Sequence, residues 1–276
     1  MTKTLVPELE TQVEGLGDIY TVYAPFDEAL ASFDNVNAER INVPMTGRDL
    51  AFARIQLGYN HSLTTNGRYI KEGNIYIPKE TRILLVRDSA VLKDPIKAKN
   101  SHGKGKEFFV EGSQVSQYLD QLESSPDSPV IELKSTKSIP TNRFGQELTT
   151  LWLFEDQAAQ YGQFLRDSSY DIKEVPLWFS DKAYIKSQEK PYANQLWLRR
   201  VVVDGGSYVS DDVRYFYYNN GVSGVFQKSG EASAQNFEAR EEKRIESHTS
   251  TQLKKALKEL KISGLEEQIL SELRKH

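Results

Sequence analysis

The chain has no cysteine and only four histidines, and both shortages limit the chemistry open to it. Without cysteine, the protein forms no disulfide, zinc–thiolate site or iron–sulfur cluster, and it has no thiol nucleophile. The histidines are scattered without the spacing of a metal site, at His61, His102, His248 and His276. The sequence therefore argues against a histidine metal site.

A strong charge imbalance and a long apolar run are lacking as well. The 35 basic residues nearly balance the 39 acidic ones, so any contact with nucleic acid must come from a local basic patch. No stretch approaches the length needed to span a bilayer, and the N-terminus has no apolar signal region. The sequence predicts a soluble, cytoplasmic protein without membrane contact. Its 38% apolar and 27% charged residues are ordinary for a globular fold.

The order of patterns along the chain predicts an α+β (mixed α/β) fold. Residues 1–93 are typical of a β-rich N-terminal region. Residues 94–227 predict a central α/β domain with a strand–helix–strand unit and an antiparallel meander. Residues 228–276 predict a linker and a C-terminal helical hairpin, whose two leucine-rich stripes must cover an apolar surface of the body or of a partner.

Local signals place several elements within these regions. Thr46 can cap a helix from Gly47 to Leu57, which Gly58 ends. Gly73 indicates a turn between short strands near residues 68–71 and 74–77, followed by an apolar strand near residues 82–87.

The most suggestive stretch runs from Pro129 to Asp167. Its opening apolar run predicts a short strand, in which Glu132 and Lys134 share one face, because residues two apart in a strand project the same way. A carboxylate and an ammonium so placed can reach one bound ion or phosphate. The apolar residues that follow recur at helical spacing without interruption from Leu148 to Leu165, and this pattern puts Gln157 and Tyr161 one turn apart on one helical face.

This acid-x-Lys strand followed by a Gln-x-x-x-Tyr helix resembles the PD-(D/E)XK nuclease superfamily and, within it, the RecB-like exonucleases. The resemblance covers about forty residues, and motif matches of this kind are hypotheses. It implies a Mg²⁺-dependent nuclease, or a nuclease-like protein that binds DNA or RNA. Glu132 would then bind the metal, Lys134 would position the attacking water or the phosphate, and Gln157 and Tyr161 would support the site.

Such a site needs a second acid, because one carboxylate rarely holds a hydrated magnesium ion in catalytic geometry. Asp120 is the best-spaced candidate, so the metal ligands expected are Asp120 and Glu132. The segment from Ser113 to Ser125 fits a short helix equally well, in which case Asp120 would be solvated and Glu111 would replace it. Glu-x-Lys is also common on the wet face of an ordinary edge strand.

The segment from Lys93 to Lys106 is the most basic in the chain. Its glycines and lysines predict a flexible loop that could grip a phosphate backbone through Lys97, Lys99, Lys104 and Lys106. A solvated interdomain linker is the alternative.

A second class of function is a non-enzymatic binding or assembly protein. Its contact surfaces would be exposed aromatic residues and the C-terminal helices, with residues 249–276 binding a second copy or another protein.

Overall fold

A computed structural model describes residues 5–134, 137–201, 209–211 and 220–227. The helices found there are α1 (Phe26–Ser32), α2 (Gly47–Leu57), α3 (Ser62–Thr65), α4 (Ala90–Lys93), α5 (Pro95–Gly103), α6 (Gly112–Asp120), α7 (Leu148–Phe154), α8 (Ala158–Asp167) and α9 (Lys182–Ser187). The strands are β1 (Glu8–Val13), β2 (Gly17–Ala24), β3 (Glu39–Asn42), β4 (Arg68–Ile77), β5 (Arg82–Val86), β6 (Val130–Glu132), β7 (Ile139–Pro140), β8 (Glu174–Val175), β9 (Leu177–Trp178), β10 (Tyr192–Leu198), β11 (Val209–Ser210) and β12 (Asn220–Gln227). Helices and a mixed sheet confirm the predicted α+β class.

Ten of these strands form one sheet, in the order β1–β2–β12–β4–β10–β11–β9. β3 pairs with β12, β5 pairs with β4 and β6, and β7 and β8 form a separate ribbon. β12 runs antiparallel to β2 and parallel to β4. The last described strand therefore lies in the middle of the sheet beside β2 and β4, whereas the predicted meander would place it after β10.

β4 connects the two hydrophobic cores. Ile70 and Tyr76 belong to one buried cluster, and Tyr69, Ile75 and Ile77 belong to the other. Because successive strand side chains point to opposite faces, both faces of β4 are covered by packed residues. β4 therefore contributes side chains to both hydrophobic cores.

Gly73 lies inside β4 and does not form the predicted turn. A Cβ atom added there would be 2.4 Å from Ser89 Oγ and 2.7 Å from Ser89 Cβ. The glycine is needed for the close approach of the segment before α4, and the predicted strands at 68–71 and 74–77 are one continuous strand.

α2 has the predicted bounds because its end signals are local. The Thr46 hydroxyl accepts a hydrogen bond from the Asp49 amide at 3.0 Å, and the Asp49 carboxylate accepts one from the Thr46 amide at 3.3 Å. Such a reciprocal pair satisfies two amides that lack helical partners. Gly58, with φ of 77°, ends the helix.

Residues 1–229 form one compact unit and residues 230–276 another. The boundary predicted at residue 93 falls inside the first unit, whose sheet takes strands from both sides of that position. The predicted hairpin at 249–276 lies outside the described residues. No helix in the described part combines the length and apolar character needed to cross a membrane.

Candidate functional site

Glu132 ends β6, and its carboxylate is held by an arginine. Arg82 donates to Glu132 Oε2 at 3.0 Å and to Glu80 Oε2 at 2.9 Å. Lys134 follows the strand and is exposed. In the described ranges, no three acidic or histidine side chains are grouped so that they could hold a metal ion.

Asp120 is the last residue of α6 and is exposed. The segment is the helix that the sequence allowed as an alternative to a strand, with Val115 and Tyr118 buried on its inner face. Glu111, the alternative acid, precedes this helix and is also exposed. The structure therefore places both candidate second acids in solvent.

Gln157 and Tyr161 are buried in the protein interior. Tyr161 Oη accepts a hydrogen bond from Arg54 Nη1 at 2.7 Å, and the fully buried Arg54 also donates to the carbonyl of Leu63 at 2.8 Å. Gln157 Nε2 donates to Asp156 at 3.0 Å. These partners stabilise the packing of α8 on α2.

The expected continuous helix from Leu148 to Leu165 is broken at Glu155. That residue has φ of 50° and ψ of −125°, a conformation that L-residues rarely adopt. The break directs the Glu155 carboxylate to Arg87 Nη1 at 2.7 Å and to Arg48 Nε at 3.8 Å. Ion pairs with two arginines thus accompany a backbone geometry that the helical spacing did not predict.

Beneath these arginines lies a buried acid that the sequence analysis missed. Glu72 on β4 is 1% exposed, accepts the Gly47 amide at 3.0 Å, and lies 3.8 Å from Arg87 Nη1. Burial raises the pKa of Glu72 to about 7, against the opposing effect of Arg87. Inward-facing acids on a strand are rare, so only tertiary contacts identify this one.

A second buried acid, Asp211, follows β11. It contacts Asn74 and Tyr76, which lie on the same face of β4 as Glu72. Its Oδ2 accepts hydrogen bonds from the Tyr76 hydroxyl, from Asn194 Nδ2 at 3.0 Å and from Asn74 Nδ2 at 3.3 Å. Asn74 and Asn194 are opposite each other in the β4–β10 register. Burial raises the pKa of Asp211 to about 6, although these hydrogen bonds favour its ionised form.

The Asp211 network includes a pair of stacked tyrosines. The rings of Tyr76 and Tyr192 are 4.5 Å apart, and Tyr184 packs edge-on against Tyr192 at 6.5 Å. The Ser180 amide donates to Tyr76 Oη at 2.9 Å. The two stacked rings are fully buried and form a base against which surface residues such as Tyr184 pack.

Two exposed aromatic residues adjoin that base, and we call them the aromatic patch: Phe109 and Tyr184. Phe109 bridges to Tyr192 in backbone pairing, which places its side chain on the same face of the sheet as Tyr192. Trp178, which is also exposed, pairs with Ser210 and through it with Trp197, so it lies on the opposite face. Tyr184 donates its hydroxyl to Glu107, and this bond, with burial, raises the pKa of Tyr184 to about 12. The aromatic run that the sequence offers as a contact surface, Tyr215 to Tyr218, lies outside the described residues, and the sequence did not single out Phe109 or Tyr184.

The predicted basic loop is a helix. Lys97 on α5 and the lysines just after the helix, Lys104 and Lys106, line an open cavity of about 430 Å³, whereas Lys99 is paired with Asp27 at 2.8 Å and Glu28 at 3.3 Å. The structure therefore brings together three of the four predicted lysines and directs the fourth to α1.

No family model matches the sequence, and no curated protein is similar to it. A similar solved structure comes from work on the accommodation of massive sequence variation in Nanoarchaeota by the C-type lectin fold. The two structures superpose with a TM-score of 0.53 at 14% identity, over 80% of this chain and 100% of that one. At such low identity the comparison shows a similarity of fold, and the fold of this protein resembles the C-type lectin fold.

Proposed function

We propose that the protein is a non-enzymatic binding protein that recognises a polypeptide segment through the aromatic patch. The observation that carries the proposal is the shared base of the patch: Phe109 and Tyr184 are exposed, yet Phe109 is bridged to Tyr192 and Tyr184 packs edge-on against the Tyr192 ring, which is stacked on Tyr76. Exposed aromatics on a fixed support supply contact area at a low cost in side-chain entropy.

The charge beside the patch favours a ligand with a basic side chain. Glu107 accepts the Tyr184 hydroxyl, but its other oxygen, Oε2, is enclosed and has no hydrogen-bond partner among the described residues. The charge of this half-buried carboxylate attracts an ammonium or guanidinium group of a ligand at the patch. The same cation could also lie over an aromatic face.

The fold comparison supports a binding role by analogy only. The similar structure belongs to work in which the C-type lectin fold accommodates massive sequence variation. A scaffold that tolerates variation on a rigid sheet suits recognition, although fold similarity alone does not assign function.

The contacts of the nuclease candidates give that hypothesis less support. Glu132 is engaged by Arg82, and Tyr161 is engaged by Arg54 inside the core. Both residues have structural partners that account for their positions. The magnesium-dependent nuclease therefore remains a prediction from the sequence motif.

The binding function can be tested by panning a random peptide display library against the immobilised full-length chain. We expect enriched peptides with basic and apolar residues, and we expect Phe109→Ala to weaken their binding about tenfold or more, as for the truncation of an anchor residue. Glu107→Gln should weaken the same peptides because it removes the charge that faces the basic group. Tyr170→Ala is the matched control, since Tyr170 is an exposed aromatic outside the patch.

Two results would contradict the proposal. One is enrichment of peptides that bind the Phe109→Ala variant as tightly as the wild type. The other is magnesium-dependent release of nucleotides from DNA that is lost in Lys134→Ala, which would make the protein a nuclease.

A further inference from the structure

We infer that the cavity beside α5 binds the phosphate backbone of a nucleic acid strand, independently of the aromatic patch. We call it the basic cavity, and its volume is about 430 Å³. Its lining residues are Asp94, Ile96, Lys97, Asn100, Ser101, Lys104 and Lys106. Three ammonium groups face one carboxylate there, and the amide and hydroxyl side chains add neutral hydrogen-bonding groups suited to phosphate oxygens.

The local sequence fixes both ends of the helix that carries the lysines. Asp94 caps α5 by accepting the Lys97 amide at 3.0 Å, and Pro95 occupies the first turn. At the other end, Gly105 has φ of 66°, and the Lys106 amide donates to the Ser101 carbonyl at 3.0 Å. This left-handed glycine turns the chain back, so that Lys106 lines the same cavity as Lys97.

The other contacts of α5 join it to α1 and to the hydrophobic core, and they leave the side of the helix that lines the cavity open. Lys99 is paired with Asp27 and Glu28 of α1, and Ala98 is fully buried. Lys97 Nζ lies 5.7 Å from the centre of the Phe108 ring. Lys104 and Lys106 form no ion pair with any residue that the structure describes. Backbone geometry thus places three lysines around one cavity, against the single carboxylate of Asp94 in its lining.

The spacing of the lysines favours a phosphate chain over a single phosphate ion. Lys97 and Lys104 are seven residues apart, and a rise of about 1.5 Å per residue separates them by roughly 10 Å along the helix. A single ion would draw these long side chains together against the mutual repulsion of their ammonium groups, whereas successive phosphates of one strand can pair with them at their own spacing. The protein as a whole is acidic, with a net charge of −4, so this binding depends on the local patch.

The inference can be tested with a fluorescein-labelled oligothymidylate and the full-length chain in EDTA, with fluorescence anisotropy measured at several salt concentrations. We expect Lys97→Gln/Lys104→Gln/Lys106→Gln to lower the affinity at least about tenfold and to reduce the salt slope by about 2, since each single-strand contact contributes about 0.7. The matched control is Lys182→Gln/Lys186→Gln/Lys190→Gln, which removes the same charge from exposed lysines elsewhere. It should leave the slope unchanged.

A triple arginine variant at positions 97, 104 and 106 keeps the charge and should retain binding, which separates loss of charge from loss of fold. An equal loss of affinity in the control variant would overturn the inference, because binding would then follow net charge alone. Competition by inorganic phosphate as effective as that by oligothymidylate, at equal phosphate concentration, would also overturn it by showing a site for single ions.

Discussion

At the scale of single residues, Glu72 and Asp211 are acids whose protonation depends on the fold. Both are acids buried on β4 or beside it, and burial raises the pKa of Glu72 to about 7 and that of Asp211 to about 6. A buried acid with a raised pKa keeps its proton in the folded state at a pH where the unfolded chain has lost it. The stability of the protein should therefore depend on pH near neutrality.

Replacing Glu72 by glutamine should remove part of this dependence. Glu72 favours folding fully below its ordinary pKa of 4.5, and this contribution is lost as the pH rises through about 7. Between about pH 5 and about pH 8, we expect the wild type to lose about 2 to 3 kcal/mol more than Glu72→Gln. Urea unfolding at both pH values measures the difference, and Glu8→Gln, at an exposed acid, is the control. Parallel pH profiles for the wild type and Glu72→Gln would show that Glu72 is ionised throughout.

At the scale of elements, the packing of α8 on the turn before α7 depends on Gly162. A Cβ atom at that position would be 2.3 Å from the Thr141 carbonyl oxygen and 2.9 Å from Phe144 Cβ. The Thr141 hydroxyl is fixed by the Ile172 carbonyl at 2.9 Å, so the turn cannot retreat without losing this bond. Gly162 is therefore required by contact between elements and not by its own backbone angle.

We expect Gly162→Ala to destabilise the protein by about 1 to 3 kcal/mol, the usual cost of overpacking, or more because one contact is with backbone. Thermal or urea unfolding measures the loss. Gly112→Ala at the start of α6 is the control, because a Cβ atom there meets nothing within 4 Å. That change should be neutral or stabilising by up to about 1 kcal/mol. Equal stability of the two variants would show that the turn moves freely.

At the scale of the whole molecule, β12 completes the sheet. It pairs with β2, β3 and β4, and Val222, Val225 and Phe226 are buried in the two cores. A strand in the middle of a sheet forms hydrogen bonds with a neighbour on each side, and its side chains pack on both faces of the sheet. The N-terminal strands should therefore not form a stable body without this late segment.

Two truncations test the role of β12. A chain that ends at Ser229 keeps every described strand and should unfold cooperatively, whereas a chain that ends before Asn220 should not fold. Circular dichroism and urea unfolding of both proteins provide the measurement. A cooperative transition in the shorter chain would mean that β2 and β4 do not need β12 between them.

The truncation at Ser229 also tests the predicted contact surface at 249–276. If those residues join two copies or cover an apolar surface, the mass or the solubility of the shortened protein should differ from that of the full chain. Light scattering of both proteins measures this. Identical mass and solubility would remove the C-terminal segment as an assembly surface.

Only signals contained within a few residues could be interpreted from the sequence alone. The bounds of α2 follow from Thr46, Asp49 and Gly58, which act on backbone groups three or four positions away. Gly73, by contrast, was interpreted as a turn, because nothing near it in sequence indicates that Ser89 lies against it. Glu155 was placed in a continuous helix for a similar reason, since its arginine partners are distant in the chain.

The sequence by itself determined the α+β class, the absence of thiol chemistry and the presence of a basic segment, because composition and local periodicity suffice for these. The tertiary structure decided which charges are used: Lys99 pairs with α1, Lys97, Lys104 and Lys106 face a cavity, Glu132 pairs with Arg82, and Glu72 and Asp211 are buried. The physical reason is that the desolvation and pairing of a charge depend on groups brought together by folding. Their separation along the chain gives no measure of that proximity.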